Sequence, residues 1–125
     1  MRAKILVIDD SGLARKNLRR ILQGAGHEVV EAQDGMAALE MYFSEKPDVV
    51  LLDLVMSGMY GLDVLKKLRQ LDPQARVVVV SADIQTPSRD LAREYGAGAF
   101  LSKPVEEADV LGAVTGLLNG ERQWS

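Results

Sequence analysis

The sequence predicts an α/β fold: a three-layer, doubly wound parallel sheet of five strands. Three observations predict it. Strand-like apolar runs alternate with segments of helical periodicity from end to end. The apolar runs are continuous rather than alternating, as in strands covered on both faces. Connections are short and there is no low-complexity linker. A chain of 125 residues has room for one domain and one core, expected over residues 1–120, with residues 121–125 as a short C-terminal tail.

Residues 4–9 read as the first strand. Ser11 can cap a helix in which Ala14, Leu18, Ile21, Leu22 and Ala25 recur at helical spacing, with Gly24 and Gly26 stopping it. Residues 28–32 make a second strand. The following helix should bury Leu39, Tyr42 and Phe43 and close at Pro47. Residues 49–52 are too few and too β-branched for a helix. The next periodic set, Leu62, Leu65, Leu68 and Leu71, ends at Asp72-Pro73, because the residue before a proline avoids the helical region.

The run of four valines at 77–80 has the strongest β-propensity in the chain. Thr86 and Pro87 read as the cap and first position of a helix with Leu91 and Tyr95 facing in and Gly96 as its stop. Residues 99–102 form the last strand. A helix from about Glu106 to Leu118 should bury Leu111, Val114 and Leu118 and end at Gly120. Trp124 is expected to be a mobile surface residue, and His27, the only histidine, an exposed turn residue.

Composition narrows the function classes. A hydrophobic share of 47% with 26% charged residues fits a soluble globular domain, and 5% aromatics implies an aliphatic core. The net charge of -3 gives no reason to expect nucleic acid or an anionic membrane as a partner. No cysteine is present, which excludes disulfides and thiolate metal sites. The apolar stretch near the N-terminus meets two aspartates too soon for a signal peptide, and no run approaches the ~18 residues of a membrane span. A cytoplasmic location is expected. Gly24-Ala25-Gly26 and Gly96-Ala97-Gly98 each follow a helix and precede a strand, the reverse of what a dinucleotide-binding turn needs, so they are helix stops.

The residues that carry chemistry stand at the ends of the strands. Asp9 and Asp10 end the first, Asp53 the third, Ser81 the fourth, and Lys103 follows the fifth. In a parallel sheet all of them emerge on one edge, and in the order 2-1-3-4-5 the ligand crevice lies between strands one and three. Each pair of carboxylates at 4 Å would repel by roughly 4 kcal/mol at an effective dielectric of about 20. Lys103 offsets one of three negative charges, leaving two, which a single divalent cation neutralises. Magnesium suits such a site, because it accepts one or two carboxylates, keeps waters and takes phosphate oxygens. A carboxylate can then act as nucleophile toward a phosphoryl group, with metal, lysine and the Ser81 hydroxyl on the phosphoryl oxygens.

The set Asp9-Asp10, Asp53, Ser81 and Lys103-Pro104 resembles the response regulator receiver domain of two-component signalling, in its CheY-like single-domain form, and the resemblance covers nearly the whole chain. It implies the flavodoxin-like strand order 2-1-3-4-5. It implies that Asp53 is the phosphoacceptor, forming 4-aspartylphosphate with phosphate from a histidine kinase or phosphotransfer protein. Asp10 would bind Mg2+ directly and Asp9 largely through water, with Asp53 and the Val55 backbone carbonyl as further ligands. Ser81 and Lys103 would hold phosphoryl oxygens, Pro104 would follow a cis peptide bond, and Phe100 would be the aromatic switch. Val55 and Asp83 would flank the path of attacking water and set phosphate lifetime.

The output surface would be the fourth helix, fifth strand and fifth helix, read by a downstream protein, with the chain a monomer or a phosphorylation-dependent dimer. No chemistry beyond self-directed phosphoryl transfer and autodephosphorylation is implied. Two positions depart from the family pattern: Ser57 replaces a proline, and Tyr60 is a poor helix cap. Arg15, Lys16, Arg19 and Arg20 form either a solvated basic face or a docking face for an acidic phosphotransfer partner. Two other readings stay open: a receiver cut from a longer regulator, and an aspartyl-phosphate enzyme of the haloacid dehalogenase type. The second would want an Asp-x-Asp pattern after the first strand, where this chain has adjacent aspartates.

Overall fold

A computed structural model of the chain describes residues 2–56, 60–82, 85–122 and 124, with Thr86 described by its backbone alone. Five strands alternate with five helices: β1 (Lys4–Ile8), α1 (Gly12–Gly24), β2 (Glu28–Ala32), α2 (Gly35–Glu45), β3 (Val49–Leu52), α3 (Gly61–Leu71), β4 (Val77–Ser81), α4 (Thr86–Glu94), β5 (Ala99–Ser102) and α5 (Glu107–Leu118). The strands form one parallel sheet, as the alternation of periods predicts, in the order β2-β1-β3-β4-β5 that the family resemblance implies.

Because successive side chains of a strand point to opposite faces, each apolar run feeds two cores. Leu6, Ile8, Val50, Leu52, Val77 and Val79 pack on one face against Ala38 and Tyr42 of α2, Leu65 and Leu68 of α3, and Ala92 of α4. Ile5, Val7, Val49, Leu51, Val78 and Val80 pack on the other against Leu18, Ile21 and Leu22 of α1 and Val110, Val114 and Leu117 of α5. This two-sided burial explains why the runs carry no polar residue. Register then carries the ladder one residue beyond β1 and β3: the Asp9 amide donates to Ala32 O at 3.1 Å and the Asp53 amide to Ile8 O at 3.0 Å. Asp9 and Asp53 are therefore fixed by backbone pairing, not held on free loops.

The caps are partly as expected. The Ser11 hydroxyl accepts from the Ala14 amide at 3.2 Å, and the Asp34 carboxylate caps α2 through Ala37 N at 2.8 Å. Gly26 and Gly96 both have positive φ, at 89° and 97°, where glycine is favoured at a helix end. The α4 cap differs. Gln85, not Thr86, is the N-cap, so the helix begins one residue early and Pro87 falls in its first turn, where its missing N–H costs no helical hydrogen bond.

Several expected core positions rotate outward. Phe43 is 47% exposed and meets Tyr42 edge-to-face at 5.3 Å, because Ala38 and Tyr42 take the inward stripe of α2. Leu71, the last residue of α3, lies beyond the packed stripe and is exposed. In α4 the adjacent Ala92 is fully buried and Leu91 faces out. In α5 the buried stripe runs through Val110, Ala113, Val114 and Leu117, leaving Leu111 and Leu118 half-buried at its margins.

His27 and Trp124 move the other way. His27 is buried, and its Nδ1 accepts the Ala3 amide at 3.1 Å, closing the gap between the start of β1 and the α1–β2 turn. Trp124 is half-buried against the core cluster on the α3–α4 side.

Candidate functional site

Asp9, Asp10 and Asp53 gather at the C-terminal edge of β1 and β3, where one carboxylate oxygen from each lies within 4.8 Å of the others. Asp9 and Asp53 are buried and Asp10 is exposed. Lys103, on the loop after β5, reaches back across the edge. Its Nζ lies 2.8 Å from Asp9 Oδ2 and 3.5 Å from Asp53 Oδ2. The Lys103 amide donates to Ser81 O at 2.9 Å, joining this loop to the end of β4. Ser81 itself is fully buried and pairs with Ser102 in the sheet register. The Lys103–Pro104 bond is cis.

Both oxygens of Asp9 are engaged, Oδ1 by the Ser11 amide at 2.9 Å and Oδ2 by Lys103. Among the described residues, Asp53 Oδ1 receives a long contact of 3.4 Å from the Val55 amide, and Oδ2 faces Lys103 at 3.5 Å. Burial pushes the Asp53 carboxyl above its ordinary pKa; the Lys103 ammonium opposes this and the Asp9 charge adds to it. Burial likewise works against the Lys103 ammonium, but the carboxylates of Asp9 and Asp53 outweigh it and hold that group above its ordinary range. Three carboxyl groups thus meet one ammonium at this edge.

Chemically, this donor set fits magnesium. Oxygens bound to Mg2+ at 2.0–2.1 Å sit about 3 to 4 Å from one another, so carboxylates spread over this edge can be bridged directly or through bound water. The donors are all hard oxygen atoms, and one of them, Asp10, is open to solvent.

The segment after β3 is anchored behind the site. The Gly61 amide donates to Leu54 O at 2.9 Å, and a Cβ on Gly61 would lie 2.3 Å from the Asp53 carbonyl oxygen and 2.5 Å from Leu54 Cα. Only glycine fits that approach. Tyr60 is the N-cap of α3 and makes no side-chain cap hydrogen bond, while Val55 is exposed. Ser57 and Asp83 lie outside the described residues. Phe100 is buried in the core cluster on the α3–α4 face, with its ring 6.2 Å from that of Trp124.

Sequence reasoning treated the basic residues of α1 as one face, and the structure divides them. Arg15 donates to Asp9 O at 2.6 Å and pairs with Glu31 at 3.1 Å, and Arg19 pairs with the same Glu31. Arg15 therefore buttresses the backbone of Asp9 from α1. A basic residue on the first turn of α1 and an acidic one in β2 gave a faint signal, visible only once β1 and β2 are paired. Gly61 gave none, since its need for a missing side chain comes from the approach of the β3 loop.

The chain matches the family model for the response regulator receiver domain over residues 5–115. It is 38% identical over 120 residues to the chemotaxis protein CheY of Bacillus subtilis (strain 168), covering 95% of this chain and 100% of that protein. It is 36% identical over 118 residues to the response regulator MprA of Mycolicibacterium vanbaalenii, covering 94% of this chain but 51% of that longer protein. Among solved structures it superposes on the CheX-CheY-BeF3-Mg+2 complex from Borrelia burgdorferi with a TM-score of 0.87 at 31% identity, over 91% of this chain and 87% of that one. With the five-stranded order and the acidic edge in place, these likenesses agree on one assignment: the chain belongs to the response regulator receiver domain family of two-component signalling.

Proposed function

We propose that this receiver is switched by phosphorylation of Asp53, supplied by a histidine kinase or a phosphotransfer protein, with Mg2+ as the required ion. The observation that carries this reading is the bridge of Lys103 to both Asp9 and Asp53, with Asp10 beside them at the same edge. A carboxylate that is buried and next to an ammonium supports this reading, because the ammonium can stabilise the product of its attack.

In the proposed step an Asp53 carboxylate oxygen attacks the phosphorus of a phosphohistidine. A new O–P bond forms as the N–P bond breaks, and the imidazole leaves with the electron pair and takes up a proton. Lys103 holds a phosphoryl oxygen and gives up part of its bond to the carboxylates. Ser81, at the end of β4, supplies a hydroxyl to another oxygen. Asp9, braced by Ser11 and Arg15, keeps the acidic edge in shape while charge moves. Bound Mg2+ would be held by Asp9, Asp10, Asp53 and the Val55 carbonyl, and would neutralise the excess negative charge. Reversal by water attack would return Asp53 to the free acid, at a rate set in part by Val55 and Asp83.

Residues 1–120 form the receiver unit in this reading, acting in the cytoplasm; none of the described helices is long and apolar enough to cross a membrane. Output passes to another protein, or to a further domain of a longer regulator, as the half-length match to MprA permits. The test is intact-mass labelling with acetyl phosphate. The chain should gain one phosphoryl group only with Mg2+, and Asp53→Ala should gain none. Equal gain by both proteins would overturn the assignment.

A further inference from the structure

The face formed by α4 and β5 carries a feature that the phosphorylation reading does not use. β5 is an edge strand, paired only with β4, and α4 is short and holds to the sheet through little apolar surface of its own. Ala92 is fully buried, Leu91 faces out, and the helix begins at Gln85 without a side-chain cap on its first turn. Into this gap comes Trp124. Its indole Nε1 donates to Ala97 O at 2.9 Å, at the entrance to β5. Its ring stands 6.2 Å from that of Phe100. The Arg89 guanidinium lies 5.5 Å from both rings, and Arg93, one turn further along α4, lies 5.4 Å from the indole.

This is a built contact. The indole has one donor, and a carbonyl receives it; its faces are electron-rich, and two guanidinium groups of α4 lie against them. Trp124 thus ties α4, the start of β5 and Phe100 together. The strand it touches also leads to the site, since Lys103 follows Phe100 by three residues and bridges Asp9 and Asp53.

We propose that Trp124 is a tethered clip: it holds α4 on β5 and covers this face while Asp53 is unmodified, and phosphorylation of Asp53 unseats it. The second half rests on the proposed phosphorylation of Asp53. When Lys103 turns from the carboxylates to a phosphoryl oxygen, the end of β5 must adjust, and Phe100 and Trp124 lie on that strand's path. A face occupied by the chain's own indole is closed to an outside partner. Its occupant leaves only if the modified state favours the open arrangement.

Trp124 is the only tryptophan, so its fluorescence reports the clip directly. Acrylamide quenching should be measured on the full chain with Mg2+, before and after acetyl phosphate, with intact mass read on the same samples. Before treatment, quenching should be clearly weaker than in the urea-unfolded chain; after treatment, it should rise by at least about twofold. Arg89→Ala with Arg93→Ala should raise quenching in the untreated chain while leaving the mass gain intact. An indole as accessible at rest as in urea would overturn the clip. A phosphoryl mass gain with unchanged quenching would overturn the coupling and leave the function standing. The absence of any mass gain would overturn the phosphorylation reading and the coupling with it, and the untreated arms would still judge the clip.

Discussion

Lys103 Nζ lies 2.8 Å from Asp9 Oδ2 although the two residues are 94 positions apart in the chain. That bridge closes the site: Asp9 is delivered by β1 and Lys103 by the loop after β5, from strands with two others between them in the sheet. The ammonium is the counter-charge that stands between Asp9 and Asp53 among the described residues.

Lys103→Met should therefore separate two effects. The bridge is about three-quarters buried on the lysine side and almost wholly so on Asp9, so its loss should cost about 1–3 kcal/mol, below the full range for a broken buried pair. Urea unfolding in EDTA should show that loss, and millimolar Mg2+ should restore a good part of it. Phosphoryl labelling should fall at least about tenfold even with Mg2+, because the metal replaces the charge but not the hydrogen bond to phosphate.

Gly61→Ala should be destabilising out of proportion to its size. The added methyl would lie 2.3 Å from the Asp53 carbonyl oxygen, which forces the backbone of Asp53 to move, at a cost of about 1–3 kcal/mol. Urea midpoints would measure this. Labelling of Asp53 should slow in the same variant, since the displaced atoms belong to Asp53 itself.

Tyr42→Phe tests a contact on the opposite end of the core. The Tyr42 hydroxyl donates to Asp72 Oδ2 at 2.6 Å, and burial, followed by this bond to a carboxylate, holds the phenol well above its ordinary pKa. Removal should cost about 1–2 kcal/mol, in the range for a hydrogen bond to a charged group, with phosphoryl labelling unchanged.

His27 should give the fold a measurable pH dependence. Burial lowers its pKa below the ordinary 6.5, and as an acceptor from Ala3 N its Nδ1 must be unprotonated. The unfolded chain therefore takes up a proton at a higher pH than the folded one. The stabilisation is fully present above pH 6.5 and is lost as the pH falls through the lower, folded-state value. Melting temperature should drop between pH 7.5 and 5.0, and His27→Gln should flatten that part of the profile.

The covered parallel sheet was legible because β1, β3 and β4 are built on continuous apolar runs, and runs of that kind belong to sheets with two covered faces, whereas β2, with Glu28 and Glu31, is an edge strand. The meeting of Asp9, Asp10, Asp53 and Lys103 at one edge follows from the same topology, since a parallel sheet puts all strand ends together. What could not be read were positions decided by a distant neighbour. His27 is buried because Ala3 offers it a donor, and Trp124 is seated because Ala97, Phe100, Arg89 and Arg93 surround it. Phe43 and Leu91 are apolar, yet the inward stripe of α2 runs through Ala38 and Tyr42, and in α4 the adjacent Ala92 takes the buried position. Helical periodicity fixes a stripe to within about one residue, and packing chooses among its members.

The central claim is that Asp53, and not its acidic neighbours, becomes the acyl phosphate. Borohydride reduction after acetyl phosphate treatment converts a phosphorylated aspartate to homoserine, and peptide mass mapping then locates it. Homoserine at position 53, appearing only when Mg2+ is present, is the expected result. Homoserine at position 9 or 10, or none anywhere, would contradict it.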